Sequence, residues 1–171
     1  AAAGIGKAGG EVLAITADVK VPAGIERMVA ETVAHYGRLD IVVNNAGSGA
    51  AVPFMTITDE AWSNDLDLKL MAAIRVTRAA IPHLKAAGGG RVINITTIGG
   101  KQPGANSGPS AISRAAGIAL TKALSKDLAK DRILVNTVCI GLIKSGQHER
   151  RYAREAGPGA NIDLDLARHV R

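Results

Sequence analysis

The chain has 171 residues, of which 47% are hydrophobic, 21% are charged and only 2% are aromatic. This length supports one domain with a sizeable core rather than two domains. A core so poor in aromatic residues must be built from Ala, Val, Ile and Leu, as in a parallel sheet buried under helices on both faces. The net charge of +6 is spread along helical segments without a basic run, so it favours tolerance of anionic ligands over nucleic-acid binding.

Cysteine and histidine usage limits the chemistry further. The single cysteine, Cys139, excludes an intrachain disulfide. The sequence shows no secretory signal and no apolar stretch of about 18 residues, so we expect a reducing, cytoplasmic setting and no membrane. The four histidines are scattered along the chain, and a lone cysteine cannot anchor a zinc site, so we expect no metal.

The N-terminal part of the chain predicts two helical segments and two strands. Residues 1–10 have the pattern of a helix end closed by glycines. Residues 12–15 predict a short strand, and Pro22 then opens a helix that should stop at Gly37. The apolar run at 39–43 is typical of a central parallel strand.

A long helical region, a second helix and two further strands follow. Thr58 has the position of an N-cap, and the amphipathic segment that it opens should end at the glycines of 88–90. Strands are predicted at 91–97 and 133–140, with a helix over roughly 110–130 between them. Strands that alternate with long helices predict βαβ units and an α/β fold.

The C-terminal stretch, residues 144–171, is charged, contains Gly-Pro-Gly and lacks a clear strand pattern. We interpret it as a flap or substrate-loop region. The sequence therefore predicts a single, partial domain over residues 1–171.

Short motifs along nearly the whole chain resemble the short-chain dehydrogenase/reductase family. They are Asp18-Val19, Asn44-Asn45-Ala46-Gly47, Asn94-Ile95-Thr96-Thr97, Thr121-Lys122-Ala123-Leu124, Val135-Asn136, and Gly141 to Ser145 with Ile140 in place of the family's Pro. One such match would be weak, but several in the right order and spacing are strong evidence. The resemblance implies a Rossmann-like, doubly wound parallel sheet in three layers, here lacking the first strands and the last strand of the family fold.

The resemblance also implies an oxidoreductase that uses NAD or NADP and acts on a carbonyl or alcohol. It assigns cofactor binding to residues in the matched motifs, namely Asp18, Val19, Asn45, Ala46, Gly47, Ile95, Gly141 and Ser145. The family's Gly-rich turn for the pyrophosphate, and the residues that distinguish NAD from NADP, would lie upstream of Ala1. The choice of cofactor therefore stays open.

The four positions at which the family keeps its catalytic residues all differ in this chain. Thr97 stands at the Ser position, Ser110 at the Tyr position, Arg114 at the Lys position and Lys69 at the Asn position. In the family, as the resemblance implies, the Tyr hydroxyl exchanges a proton with the substrate oxygen, and the other three residues assist it. An aliphatic hydroxyl at 110 is a far weaker acid than a phenol, whose pKa is about 10.

Each of these residues also has a structural interpretation. Thr97 is as well explained by capping a strand end as by donating to a substrate. Ser110 follows Pro109 and precedes a helix, so an N-cap is favoured over a proton donor. Arg114 would hold the nicotinamide ribose, clamp an anionic substrate, or lie at the surface. A solvated Lys69 is favoured, although beside Arg114 its pKa would be depressed and it would become the missing acid.

The leading hypothesis from the sequence is an oxidoreductase with atypical catalytic residues and a small-molecule substrate, for which an anionic group would be suitable. The alternative is a non-catalytic dinucleotide-fold module, a pseudoenzyme or fragment used for binding or oligomerisation. The resemblance implies a homo-oligomer, dimer or tetramer, formed through the helices at 66–85 and 110–129. Four substitutions in one site favour the non-catalytic alternative more than one substitution would.

Overall fold

The computed structural model describes residues 2–141, 143, 146 and 149. Contacts divide the chain into two compact units, residues 1–139 and 140–171. The helices, the sheet core and the candidate site described below belong to the first unit. The predicted flap at 144–171 lies outside the described residues, apart from Gly146 and Glu149.

Helices and strands alternate along the first unit, as the sequence predicts. In chain order they are α1 (Ala2–Lys7), α2 (Pro22–Tyr36), β1 (Ile41–Asn44), β2 (Ala51–Val52), α3 (Asp59–Leu66), α4 (Ala72–Ala86), β3 (Gly90–Thr97), β4 (Gly108–Pro109), α5 (Ser110–Asp127) and β5 (Ile133–Ile140). A π-helical turn, Asp67–Met71, joins α3 to α4. No helix in the described part of the chain is long and apolar enough to cross a bilayer.

The main sheet has the strand order β1-β3-β5. β1 and β3 run parallel, with Ile41 opposite Arg91 and Asn44 opposite Asn94. The carboxyl ends of these two strands therefore meet at one edge of the sheet. In open α/β sheets this edge is where ligands bind.

One face of the sheet carries the core. Its strand residues Val42, Val92 and Ile133 pack against Leu84 of α4 and Leu128 after α5. Leu84, Val92 and Ile133 have no exposed surface. Each such side chain contributes about 1.5–3 kcal/mol through burial, so α4 and α5 are fixed on this face.

Side chains of the opposite face are half exposed. Ile41 and Val43 on β1 and Leu134 and Val138 on β5 expose between 48% and 56% of their surface. They alternate with the core residues because successive side chains of a strand point to opposite faces.

Local signals placed α2 and the start of α3 correctly. α2 begins at Pro22 and is closed by Gly37, whose φ is +76° and whose N–H donates to the carbonyl of Val33. The Thr58 side chain caps α3 by accepting from the N–H of Ala61 at 3.1 Å. The predicted helix end and N-cap are confirmed.

The predicted strand at 12–15 is wrong. Residues 10–18 have no regular secondary structure, and Val12 and Leu13 expose 38% and 37% of their surface. A short apolar run becomes a strand only when a neighbouring strand satisfies its backbone groups. Among the described residues, the sheet order ends at β1.

The π-helical turn was not predicted, because the sequence pattern reads as one continuous amphipathic helix. At this turn the N–H of Ala72 donates to the carbonyl of Asp67, five residues earlier. Such turns insert a residue, rotate the helix face, and occur frequently at functional sites. Lys69 lies in the middle of the turn.

Candidate active site

A cavity of about 160 Å³ lies at the carboxyl ends of β1 and β3. The turn after β1 contributes Asn45 and Ala46, and β3 contributes Ile95. Lys69 and Arg114 are the charged side chains that line it, as far as the described residues show. The cavity is therefore an apolar pocket with two cations at its wall.

The Lys69 side chain is buried, with 1% of its surface exposed. Its Nζ forms an ion pair with Asp65 Oδ1 and donates to Ser110 Oγ at 2.6 Å. The prediction of a solvated Lys69 is wrong. Asp65 lies four residues earlier, on the same side of the helix, and supplies the counter-charge that makes burial of the ammonium possible.

Asp65 is the centre of this network, and no sequence signal singled it out. Its side chain is 4% exposed, and its Oδ2 accepts from Ser113 Oγ at 2.6 Å. Both carboxylate oxygens therefore have a partner. The residue sits in a polar run, Ser63-Asn64-Asp65, that looks like the exposed side of a helix. Its spacing to Lys69 was the one available clue.

Ser110 points into the network and does not cap its helix. α5 begins at Ser110, and the capping position is occupied by Pro109. The hydroxyl oxygen of Ser110 accepts from the N–H of Ala50 at 3.0 Å and from Lys69 at 2.6 Å. The N-cap prediction is wrong because the short β2–β4 ladder, in which Ala51 pairs with Pro109, turns this residue toward the π-helical turn.

Arg114 reaches across the cavity wall to the ends of both parallel strands. Its Nη1 donates to the carbonyl of Ile95 at 2.6 Å. A methyl group on Gly47 would lie 2.6 Å from Arg114 Nη2. Because Gly47 has no side chain, the guanidinium fits beside it. Arg114 therefore does not lie at the surface, which was one of the positions that the sequence left open.

Burial and charge set the electrostatics of the site. Burial lowers the pKa of Lys69 below its ordinary value, Asp65 partly offsets this through its hydrogen bond and charge, and Arg114 lowers it further. Burial also lowers the pKa of Arg114, against the charge of Asp65. Since arginine stays protonated in proteins, Lys69 is the cation that can titrate.

The network carries two cations and one carboxylate. Asp65 serves as counter-charge to both Lys69 and Arg114. One positive charge is left over when all three are ionised. The cavity wall is thus suited to a ligand with anionic or strongly accepting groups.

Thr97, like Ser110, is not among the residues that line the cavity, whereas its neighbour Thr96 is. Thr96 Oγ1 is 3.0 Å from Thr137 Oγ1 on β5. Because side chains alternate along a strand, the two threonines face opposite ways.

The remaining predicted cofactor residues are distributed unevenly. Val19 lines the cavity with Asn45 and Ala46. Asp18 is exposed, and its carboxylate accepts from the N–H of Lys20 at 2.9 Å. Gly141 belongs to the second compact unit, and Ser145 lies outside the described residues. The assignment of these residues to cofactor binding stays a prediction.

The described part of the chain contains no candidate metal site. No group of three or more His, Cys, Asp or Glu residues is arranged there to hold an ion.

The alternating fold and a cavity at the carboxyl ends of parallel strands define a Rossmann-like α/β protein. Residues 1–156 match the family model of the short chain dehydrogenases. The chain belongs to this family, and the predicted fold class is confirmed.

Individual relatives agree with that membership. "Granaticin polyketide synthase putative ketoacyl reductase 2" of Streptomyces violaceoruber is 38% identical over 138 residues, which are 79% of this chain and 55% of that protein. "Dehydrogenase/reductase SDR family member 4" of Homo sapiens is 37% identical over 70% of this chain and 44% of that protein. The chain spans about half the length of these curated relatives.

A solved structure extends the comparison to three dimensions. The crystal structure of NAD+-bound xylitol dehydrogenase superposes with a TM-score of 0.86 at 26% identity, over 94% of this chain and 62% of that chain. The fold is therefore similar to that of this NAD+-bound dehydrogenase.

Proposed function

We propose that this chain forms part of an NAD(P)-dependent oxidoreductase that interconverts a carbonyl and an alcohol, with a proton donor built from Lys69 and Ser110. The observation that carries the proposal is the buried hydrogen bond of 2.6 Å between Lys69 Nζ and Ser110 Oγ. Ser110 stands where the family keeps its tyrosine. Its partner Lys69 stands where the family keeps an asparagine.

The hydrogen-bond inventory of Ser110 supports a donor role. A hydroxyl has one hydrogen and two acceptor lone pairs. The N–H of Ala50 and the ammonium of Lys69 use both lone pairs. Among the described residues the hydroxyl hydrogen has no acceptor, so it can be donated to a substrate oxygen.

Lys69 compensates for the weak acidity of a serine. As the Ser110 hydroxyl gives its proton to the substrate oxygen, Lys69 gives one of its three protons to Ser110 Oγ. Lys69 becomes neutral, Ser110 is restored, and the alcohol carries the new O–H bond. In the oxidative direction the same protons move back. Burial helps because it lowers the pKa of the ammonium toward the working range of a general acid.

NAD(P), when bound, supplies or accepts the hydride. The residues present fit part of such a cofactor. Asn45 and Lys69 present polar groups at the wall of an otherwise mostly apolar cavity of about 160 Å³, and the Arg114 guanidinium lies beside Gly47. This volume is below the ~300–1,000 Å³ of common ligand pockets, so the cavity suits one portion of a dinucleotide.

Turnover by the intact protein tests the donor pair. Ser110→Ala is expected to lower kcat by about 10²–10⁴-fold, the usual contribution of a positioned acid, because the substrate oxygen loses its only proposed donor. The assay is a panel of carbonyl and alcohol substrates, with a ketoacyl compound included, run with both NAD(H) and NADP(H). Ser125→Ala is the matched control, since Ser125 lies on the same helix and, among the described residues, its hydroxyl donates to the carbonyl of Lys122 alone.

Two results would refute the proposal. Unchanged turnover in Ser110→Ala would remove Ser110 from the reaction. A folded, intact protein that binds neither cofactor and turns over no substrate would instead favour the non-catalytic module.

Cofactor binding should depend on Arg114 and on the space that Gly47 leaves for it. Arg114→Ala is expected to weaken NAD(P) binding by about tenfold, roughly the effect of losing one hydrogen bond to a charged group. Gly47→Ala should weaken it similarly, because the added methyl group must displace Arg114 Nη2. Isothermal calorimetry measures both variants. Gly104→Ala is the control, since a Cβ there meets nothing within 4 Å; equal binding by all three variants would contradict this prediction.

Assembly through residues 66–85 and 110–129 stays a prediction. Ile112 on α5 exposes 46% of its surface, which is compatible with a subunit contact. Sedimentation of the intact protein, with Ile112→Lys as the disrupting variant, measures whether this helix holds a homo-oligomer together. The cytoplasmic location likewise stays a prediction.

A further inference from the structure

Asp65 and Ser113 form a buried pair that the proposed reaction does not itself use. Ser113 is 1% exposed and Asp65 is 5% exposed. Neither residue stands at one of the family's catalytic positions that the sequence identifies. Burying a carboxylate costs several kcal/mol unless it is paired and hydrogen-bonded, so its presence here needs an explanation.

The hydrogen bonds order these residues into a chain. The Ser113 hydroxyl has one hydrogen, and its shortest acceptor is Asp65 Oδ2 at 2.6 Å, against 3.0 Å to the carbonyl of Ser110. Asp65 Oδ1 pairs with Lys69 Nζ, which in turn donates to Ser110 Oγ. The direction of donation is thus fixed from Ser113 to Asp65 and from Lys69 to both of its partners.

We infer that Asp65, oriented by Ser113, is a positioning residue that keeps the Lys69 ammonium charged and aims it at Ser110. The catalytic part of this inference rests on the proposed function. The positioning part rests on the contacts alone, because the ion pair with Asp65 fixes one N–H of Lys69 and leaves a second N–H to reach Ser110.

The charged groups that face Lys69 decide whether removal of Asp65 raises or lowers the pH at which Lys69 loses its proton. In the described part of the chain, Asp65 comes from α3 and Arg114 from α5. Asp67, two residues away from Lys69, pairs with Arg75 at 2.7 Å. Removing Asp65 would leave Lys69 with a neighbouring cation and no counter-charge, so the ammonium would lose its proton at lower pH.

The first readout is independent of turnover. The pH titration of the Lys69 Cε resonance, followed by NMR in protein that contains carbon-13-labelled lysine and assigned with Lys69→Met, gives the protonation midpoint of Lys69 without requiring access of a reagent to the buried amine. Asp65→Asn is expected to move this midpoint down by about 1–3 pH units, and Asp65→Glu should bring it back toward that of the unmodified protein. Asp67→Asn, the matched control in the same turn, should leave it unchanged.

The second readout is the pH profile of kcat. Its basic limb, where the acid is lost, should move to lower pH in Asp65→Asn by the same amount as the protonation midpoint of Lys69. If this midpoint shifts while no variant shows turnover, the positioning role stands and the proposed function fails. If the midpoints of Asp65→Asn and Asp67→Asn coincide, the inference is overturned.

Ser113→Ala keeps the test usable should Asp65→Asn fail to fold. It removes one hydrogen bond to Asp65 and leaves the ion pair in place. A smaller downward shift in the same direction is expected, because a less oriented carboxylate holds the proton on Lys69 less well. An unchanged midpoint in a folded Ser113→Ala would remove Ser113 from the inference.

Discussion

Replacing Lys69 by Met is expected to lower the free energy of unfolding by about 3–5 kcal/mol at neutral pH, the usual cost of breaking a buried ion pair from one side. The Asp65 carboxylate would remain, 4% exposed, with Ser113 as its remaining hydrogen-bond donor. Urea unfolding followed by circular dichroism measures the loss. A loss of this size would exceed the loss of stability that most single substitutions cause.

A double variant separates the lost pair from lost packing. Asp65→Leu combined with Lys69→Met removes both charges and keeps apolar volume, so most of the stability should return, as when buried ion pairs elsewhere are replaced by apolar residues. Ser113 retains an acceptor in the carbonyl of Ser110 at 3.0 Å. If the double variant is as unstable as Lys69→Met, the ion pair is not the source of the loss.

An exposed pair serves as the control. Arg27 Nη1 lies 2.8 Å from Glu31 Oε1, and the two side chains are 51% and 45% exposed. Glu31→Gln should therefore cost no more than about 1 kcal/mol.

The pH dependence of stability has a definite sign. The pKa of Lys69 is lower in the folded protein than its ordinary value, so between these two values the unfolded chain binds more protons than the folded one. Stability then rises with pH across that window. In Lys69→Met this rise should disappear, because the titrating group is gone.

Local sequence signals were sufficient for the elements that position the site. α2 begins at Pro22, whose ring fixes φ, and ends at Gly37, which adopts a positive φ. β5, with bounds Ile133–Ile140, followed from a run of apolar and β-branched residues that is interrupted at Asn136. These features depend on neighbouring residues alone, and a single sequence contains them.

The side-chain network could not be predicted in the same way. The hydrogen bond from Lys69 to Ser110 spans 41 positions, and that from Ala50 to Ser110 spans 60. It also requires the π-helical turn, which has no glycine or proline to mark it. A serine before a helix and a lysine on a helix therefore received their commonest interpretations, and both were wrong.

Stability and the proposed chemistry oppose each other at this site. An apolar pair in place of Asp65 and Lys69 should keep most of the stability, yet it would remove the proposed acid. Functional sites often retain groups that stability alone does not require. The double variant should therefore be nearly as stable as the unmodified protein and yet show no turnover, which links the folding experiment to the proposed function.

Gly89→Ala is expected to lower the free energy of unfolding by about 2–6 kcal/mol. Backbone strain contributes about 1–3 kcal/mol of this loss, and a steric clash contributes about 1–3 kcal/mol. Gly89 has a φ of +127°. A Cβ there would lie 2.6 Å from the carbonyl oxygen of Arg132 and 2.9 Å from its Cβ. That carbonyl accepts from the N–H of Gly90 at 3.1 Å, where β3 begins beside β5. The clash would thus move the start of the strand that carries Ile95.

Thermal unfolding measures the loss of stability in Gly89→Ala. Gly104→Ala is the control, because a Cβ at Gly104 meets nothing within 4 Å. This control should change the free energy of unfolding by no more than about 0.5 kcal/mol. Equal stability of the two variants would show that the turn before β3 tolerates a side chain, and that the register of the site does not depend on it.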